Sequence, residues 1–121
     1  MSKPQVMVQN IGDVVIVNLG SAAILDAAAV EAIGRQLYDL VEERAVRKLM
    51  LDFSQVKFLS SMMLGVMVRL RRRSDAIGGR LAVFGLRPEL HRVFHISRLD
   101  RLFDFYDDER EALASFDASG R

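Results

Sequence analysis

An apolar run, Leu49-Met50-Leu51, closes on Asp52-Phe53, and a short polar link then leads to Ser60-Ser61 and a helix-periodic segment. No other stretch narrows the fold as much. The run is too short for a helix and reads as a buried strand. Met63, Val66, Met67 and Leu70 are spaced three and four apart, which predicts a helix over 61–76, stopped by Gly78-Gly79. A strand that feeds a helix in this way opens a crossover unit, so the sheet is expected to be partly parallel. The serine hydroxyls fall at the helix start, where free N–H groups and the helix dipole favour negative charge. A phosphate placed there can be read by a partner and removed again. The chemistry is expected to be done to this chain rather than by it.

The flanking sequence repeats the alternation. Val6-Met7-Val8 and the run from Val14 to Leu19 surround Asn10-Ile11-Gly12-Asp13, which predicts an antiparallel hairpin. Asp26 is placed to cap a helix ending near Arg44, with Val30, Ile33, Leu37, Leu40 and Val41 on its inward face. A strand is expected over 48–53 and another over 80–84. Gly85-Leu86-Arg87-Pro88 then turns into a third helix with Pro88 in its first turn, carrying Leu90, Val93, Phe94 and Ile96. A short strand over 103–106 follows, and Asp107-Asp108 caps a last helix that fades at Phe116. The expectation is one α/β domain over 1–121, with a core over about 5–116.

Composition removes several functional classes. Half of the 121 residues are hydrophobic, and a chain of this size buries roughly two-thirds of its unfolded surface. There is no cysteine, so thiolate catalysis, cysteine–zinc sites and disulfides are all absent. The net charge of +1 gives no global attraction to nucleic acid or to an anionic membrane. No apolar stretch approaches the ~20 residues of a membrane span, and the N-terminus lacks a signal core. A cytoplasmic protein without cofactors is expected.

The ordered pieces resemble the STAS family, the fold of bacterial anti-sigma factor antagonists. The resemblance rests on Ile24-Leu25-Asp26, on Leu49-Met50-Leu51-Asp52, and on Val56-Lys57-Phe58-Leu59-Ser60-Ser61 with Leu64-Gly65. It continues through Gly78-Gly79-Arg80-Leu81, Leu86-Arg87-Pro88-Glu89-Leu90, Val93-Phe94 and the stretch from Leu99 to Phe103. It implies a mixed sheet with an N-terminal antiparallel hairpin and about four helices packed mainly on one face. It also implies that the start of the second helix binds a partner, an anti-sigma factor with serine kinase activity. The family loop reads Asp-Ser-Ser-Gly-Leu-Gly, and its second serine is the usual acceptor. Here Ser60 stands at the aspartate, Ser61 at the first serine, Met62 at the acceptor and Met63 at the glycine. In the stressosome branch the acceptor directly follows the aspartate, which matches Ser61. The resemblance thus carries Ser61 as the phosphorylation candidate, with Ser60 second, and Asp26, Ser60, Ser61 and Met62 as the partner surface. Two other roles are open: a non-phosphorylated stressosome-like scaffold, and an accessory subunit of a lipid transporter. Pairing of a sheet edge into a homodimer is also open.

The remaining features have plainer readings. Ser60 and Ser61 are also good helix caps. Adjacent Met62 and Met63 cannot share one helix face, and Met63 is expected inward. Arg69, Arg71, Arg72 and Arg73 read as a solvated helix end rather than a nucleic-acid site, since no aromatic platform accompanies them. His91 and His95 have metal-ligand spacing but no evident third ligand. Asp52 is expected to bond loop amides. No nucleophile–base pair or carboxylate pair emerges, so an enzyme is not expected.

Overall fold

The structure, a computed structural model, describes residues 6–20 and 27–119, with side chains as far as Phe116 at the C-terminal end. The order is β1 (Met7–Ile11), β2 (Val14–Asn18), α1 (Ala27–Glu42), β3 (Lys48–Asp52), α2 (Ser61–Ala76), β4 (Arg80–Phe84), α3 (Pro88–Ile96), β5 (Asp104–Tyr106) and α4 (Glu109–Ser119). The strands form one sheet in the order β1-β2-β3-β4-β5. β1 and β2 pair antiparallel around Gly12, whose φ of +61° is the left-handed conformation that glycine takes without strain. Every later pairing is parallel.

This order decides where the helices go. The parallel strands are laid down one after another in a single direction, and each crossover is right-handed, so α1, α2 and α3 must share one face. α4 follows the last strand, closes no crossover, and packs on the other face. The alternation along each strand shows both layers. Val15, Val17, Leu49, Leu51, Leu81 and Val83 join the larger core with Leu37, Met63, Met67, Leu70 and Phe94. Val14, Ile16, Met50, Ala82 and Phe84 meet Ala112 and Phe116 from α4. Strands buried on both faces appear in sequence as continuous apolar runs. α1 and α2 approach closely at Gly34, where a Cβ would lie only 3.2 Å from Val66 Cγ2.

The helices divide three and one between the faces, so most of them share one face as expected. Other expectations need adjustment. α4 runs to Ser119 rather than fading at Phe116. Ile96 is 73% exposed rather than inward, because two residues beyond Phe94 lie about 200° around a helix of 3.6 residues per turn. Asp26 falls outside the described residues.

Candidate functional site

The site is built where the parallel strands end. Asp52, last in β3, accepts the Ser54 N–H through Oδ1 at 2.8 Å, folding the chain into an Asx-type turn. Its Oδ2 accepts Asn18 Nδ2 at 3.0 Å, and Asn18 Oδ1 accepts the Gly20 N–H at 2.6 Å. One carboxylate thus fixes the exits of two neighbouring strands, the structural task expected of it. Asn18 has no role in the sequence reading, because its partner lies across the sheet. Phe53 and Val56 are fully buried and pin the loop from below. From above, Gly85 at φ +76° leaves room that a Cβ would close to 3.1 Å from Ser54 N. The loop is therefore rigidly seated at the carboxyl ends of the strands, the usual place for sites in open α/β sheets.

Between its anchors the loop turns outward. Phe58 is 58% exposed. Ser60 has extended backbone, φ −82° and ψ 161°, and its Oγ accepts the Met63 N–H at 3.1 Å. Ser60 is the N-cap of α2. Ser61, first in the helix, is exposed, and Met62 is 41% exposed while Met63 is completely buried. The two methionines divide as expected from helical geometry: Met63 joins the core stripe, and Met62 points outward. Phe58, Ser61 and Met62 are exposed along one ridge, with Ser60 half-buried between them. Phe58 enters the sequence analysis only as part of the loop motif and not as a surface candidate, since an exposed aromatic gives no signal in sequence that separates it from a buried one.

The other candidates have structural duties. Arg73 pairs with Glu42 at 2.8 Å and stacks over the Tyr38 ring at 4.0 Å. Arg69 donates to the Tyr38 hydroxyl at 3.1 Å, and Arg71 bonds Asp75 and the Leu102 carbonyl. Arg69 and Arg72 are exposed and Arg71 and Arg73 half-buried, so the helix end is solvated as expected, and three of the four arginines also brace α2 from its surface. His91 meets Phe105 edge-on with ring centroids 5.3 Å apart. His95 Nδ1 lies 3.0 Å from Asp100 Oδ2, and this hydrogen bond holds the Asp100 carboxyl below its ordinary value. Lys48 does the same for Asp13 at 3.0 Å. Among the described residues no three or more His, Asp or Glu gather in a way that could hold a metal. No helix there is long and apolar enough to cross a membrane.

The fold and the ridge together define a domain that presents a capped helix start at the end of a mixed sheet. The STAS domain model matches residues 5–112, and the chain belongs to that family. It is 26% identical over 113 residues to the anti-sigma F factor antagonist of Paenibacillus polymyxa, covering 93% of this chain and 95% of that one. A serine-to-glutamate variant of RsbS from Moorella thermoacetica superposes with a TM-score of 0.83 at 16% identity, over 97% of this chain and 98% of that one. The Bacillus cell fate determinant SpoIIAA in its phosphorylated form gives 0.71 at 22% identity, over 92% and 98%. These two structures share the fold.

Proposed function

We propose that this chain is an anti-sigma factor antagonist acting in the cytoplasm. It docks through the start of α2 onto an anti-sigma factor with serine kinase activity, and Ser61 accepts the phosphate that ends the contact. The observation that carries this reading is the division of labour between the two serines. Ser60 Oγ is occupied by the Met63 N–H, whereas Ser61 is exposed beside exposed Met62. Relatedness over nearly the whole chain to an anti-sigma F factor antagonist supports it. Phosphorylation adds about −1.5 to −2 charges. At the first helical residue the dipole and free N–H groups stabilise that charge within the chain. The same charge beside Met62 opposes an apolar or acidic contact on the partner. The chain performs no chemistry in this scheme, and the partner supplies ATP.

The experiment is incubation of the purified chain with its cognate anti-sigma kinase and ATP, followed by mass spectrometry and binding measurements. One phosphate is expected, kept in Ser60→Ala and lost in Ser61→Ala, and Ser61→Asp or Met62→Asp should weaken binding at least tenfold. Absence of phosphate from both serines, with unchanged binding of Ser61→Asp and Met62→Asp, overturns the reading.

A further inference from the structure

The start of α3 leaves a demand unmet. Its N-cap is Arg87, with φ −66° and ψ 150° and no side-chain capping bond, and Pro88 follows without an N–H of its own. Arg87 Nε is buried and has no hydrogen-bond partner among the described residues. That N–H is sealed from solvent, so an acceptor from outside meets only the half-exposed remainder of Arg87, where a charged acceptor serves best. Arg87 also lines a groove of about 460 Å³ between the 57–59 loop and α3. Phe58, Leu59, Leu90 and Val93 form its apolar walls, and two cations, Lys57 and Arg87, outnumber the one carboxylate, Glu89.

This combination selects its occupant by chemistry. Free phosphate would pair with Arg87 but leave the apolar walls wet, including Phe58 at 58% exposure. A second copy docked groove to groove would set like cations against each other. A protein segment carrying aliphatic side chains and a carboxylate meets both demands, because it covers the walls and sets a negative charge between the two cations of the lining. We infer that the groove beside α3 receives an aliphatic, acidic segment of a protein partner, with a carboxylate on Arg87 and aliphatic side chains between Phe58 and Val93. The inference rests on the docking role proposed above, since the 57–59 loop leads directly into Ser60, and it extends that surface from α2 across to α3.

The test uses the full chain, labelled with nitrogen-15, and two acetylated and amidated peptides. One is Leu-Glu-Leu-Leu-Glu-Leu and the other its isostere with glutamine at both glutamates. The acidic peptide should give saturable amide shifts confined to 57–59 and 87–93. Binding should fall at least tenfold for the glutamine peptide and for Arg87→Gln, whose fold is checked by its amide spectrum. Ile96→Ser, outside the groove lining, should bind as the parent chain does. Equal affinity for both peptides, shifts centred elsewhere, no saturable shift, or the same shifts from inorganic phosphate alone would each overturn the inference. The two readings fail separately. If Met62→Asp loses the kinase partner while the peptide result is negative, only the groove is wrong. If neither Met62→Asp nor Arg87→Gln affects partner binding, the docking role fails with it.

Discussion

Two helices begin at the same end of the sheet, and they begin in opposite ways. α2 starts on Ser60, whose hydroxyl takes up the Met63 N–H, so this terminus satisfies itself. α3 starts on Arg87, which caps nothing and keeps a buried donor without an acceptor among the described residues. The backbone leading into each helix is extended, and each buries an apolar residue in its first turn, Met63 at 0% and Leu90 at 3% exposure. Packing therefore holds each helix, while the chemistry of its first residue differs. At the self-satisfied terminus the neighbouring Ser61 stays exposed. At the other terminus the half-exposed Arg87 lines a groove with Phe58, Leu90 and Val93.

The largest test of this contrast removes the packing. α3 has only nine residues, too few to persist on its own, and Phe94 anchors it edge-on against Phe103 and Phe105 at 5.8 and 5.3 Å. Phe94→Ala should lower stability by about 3–5 kcal/mol in urea denaturation. Loss of amide protection should appear first in α3; equal early loss across α2 would show that the two starts are not held independently. Next comes the cap itself. Ser60→Ala should cost about 1 kcal/mol, since it strips the acceptor from Met63 N–H. The reciprocal change at the other helix should have the opposite sign. Arg87→Ser installs a capping hydroxyl on backbone already in the extended region, and a gain of up to about 1 kcal/mol is expected, together with loss of groove binding. A destabilised Arg87→Ser would mean that the guanidinium packs usefully where it is.

The smallest effect concerns the far ends of the helices. Both helices stop on a left-handed residue, Gly78 at φ +69° and Arg98 at φ +61°, and the end of α3 is tied in addition by His95 to Asp100. The Asp100 carboxyl is lowered in the folded chain, so it contributes stability that is present above its ordinary value of 3.8 and lost as pH falls through the depressed one. Urea midpoints measured between about pH 5 and pH 3 should fall slightly more for the parent chain than for His95→Gln. Parallel curves would show that the pair adds nothing.

Local pattern was enough for most of the architecture. The bounds of α2 and β4 coincide with the sequence reading because serine at the start, glycine at the end and continuous apolar periodicity agree there. The candidate site was legible where neighbours in sequence set it, as with Ser60, Ser61 and the outward turn of Met62. It was not legible at Asn18, Phe58 or Arg87, whose roles depend on what lies across the sheet or across a groove. The surface bonds of the α2 arginines escaped it for the same reason, since Tyr38, Glu42 and Leu102 reach them from elsewhere in the chain.

The order of strands and helices, the inward stripes and the capped start of α2 were settled by the residues in line, because those features follow from spacing and backbone preference within a few positions. Folding in three dimensions was needed to put three helices on one face and α4 on the other, and to join Asp52 to Asn18. It also set Arg87 into a groove with Phe58, 29 positions earlier in the chain. Such pairings depend on the right-handed path of the crossovers and on which donors lose their water when the layers close, and neither is written in any one stretch of residues.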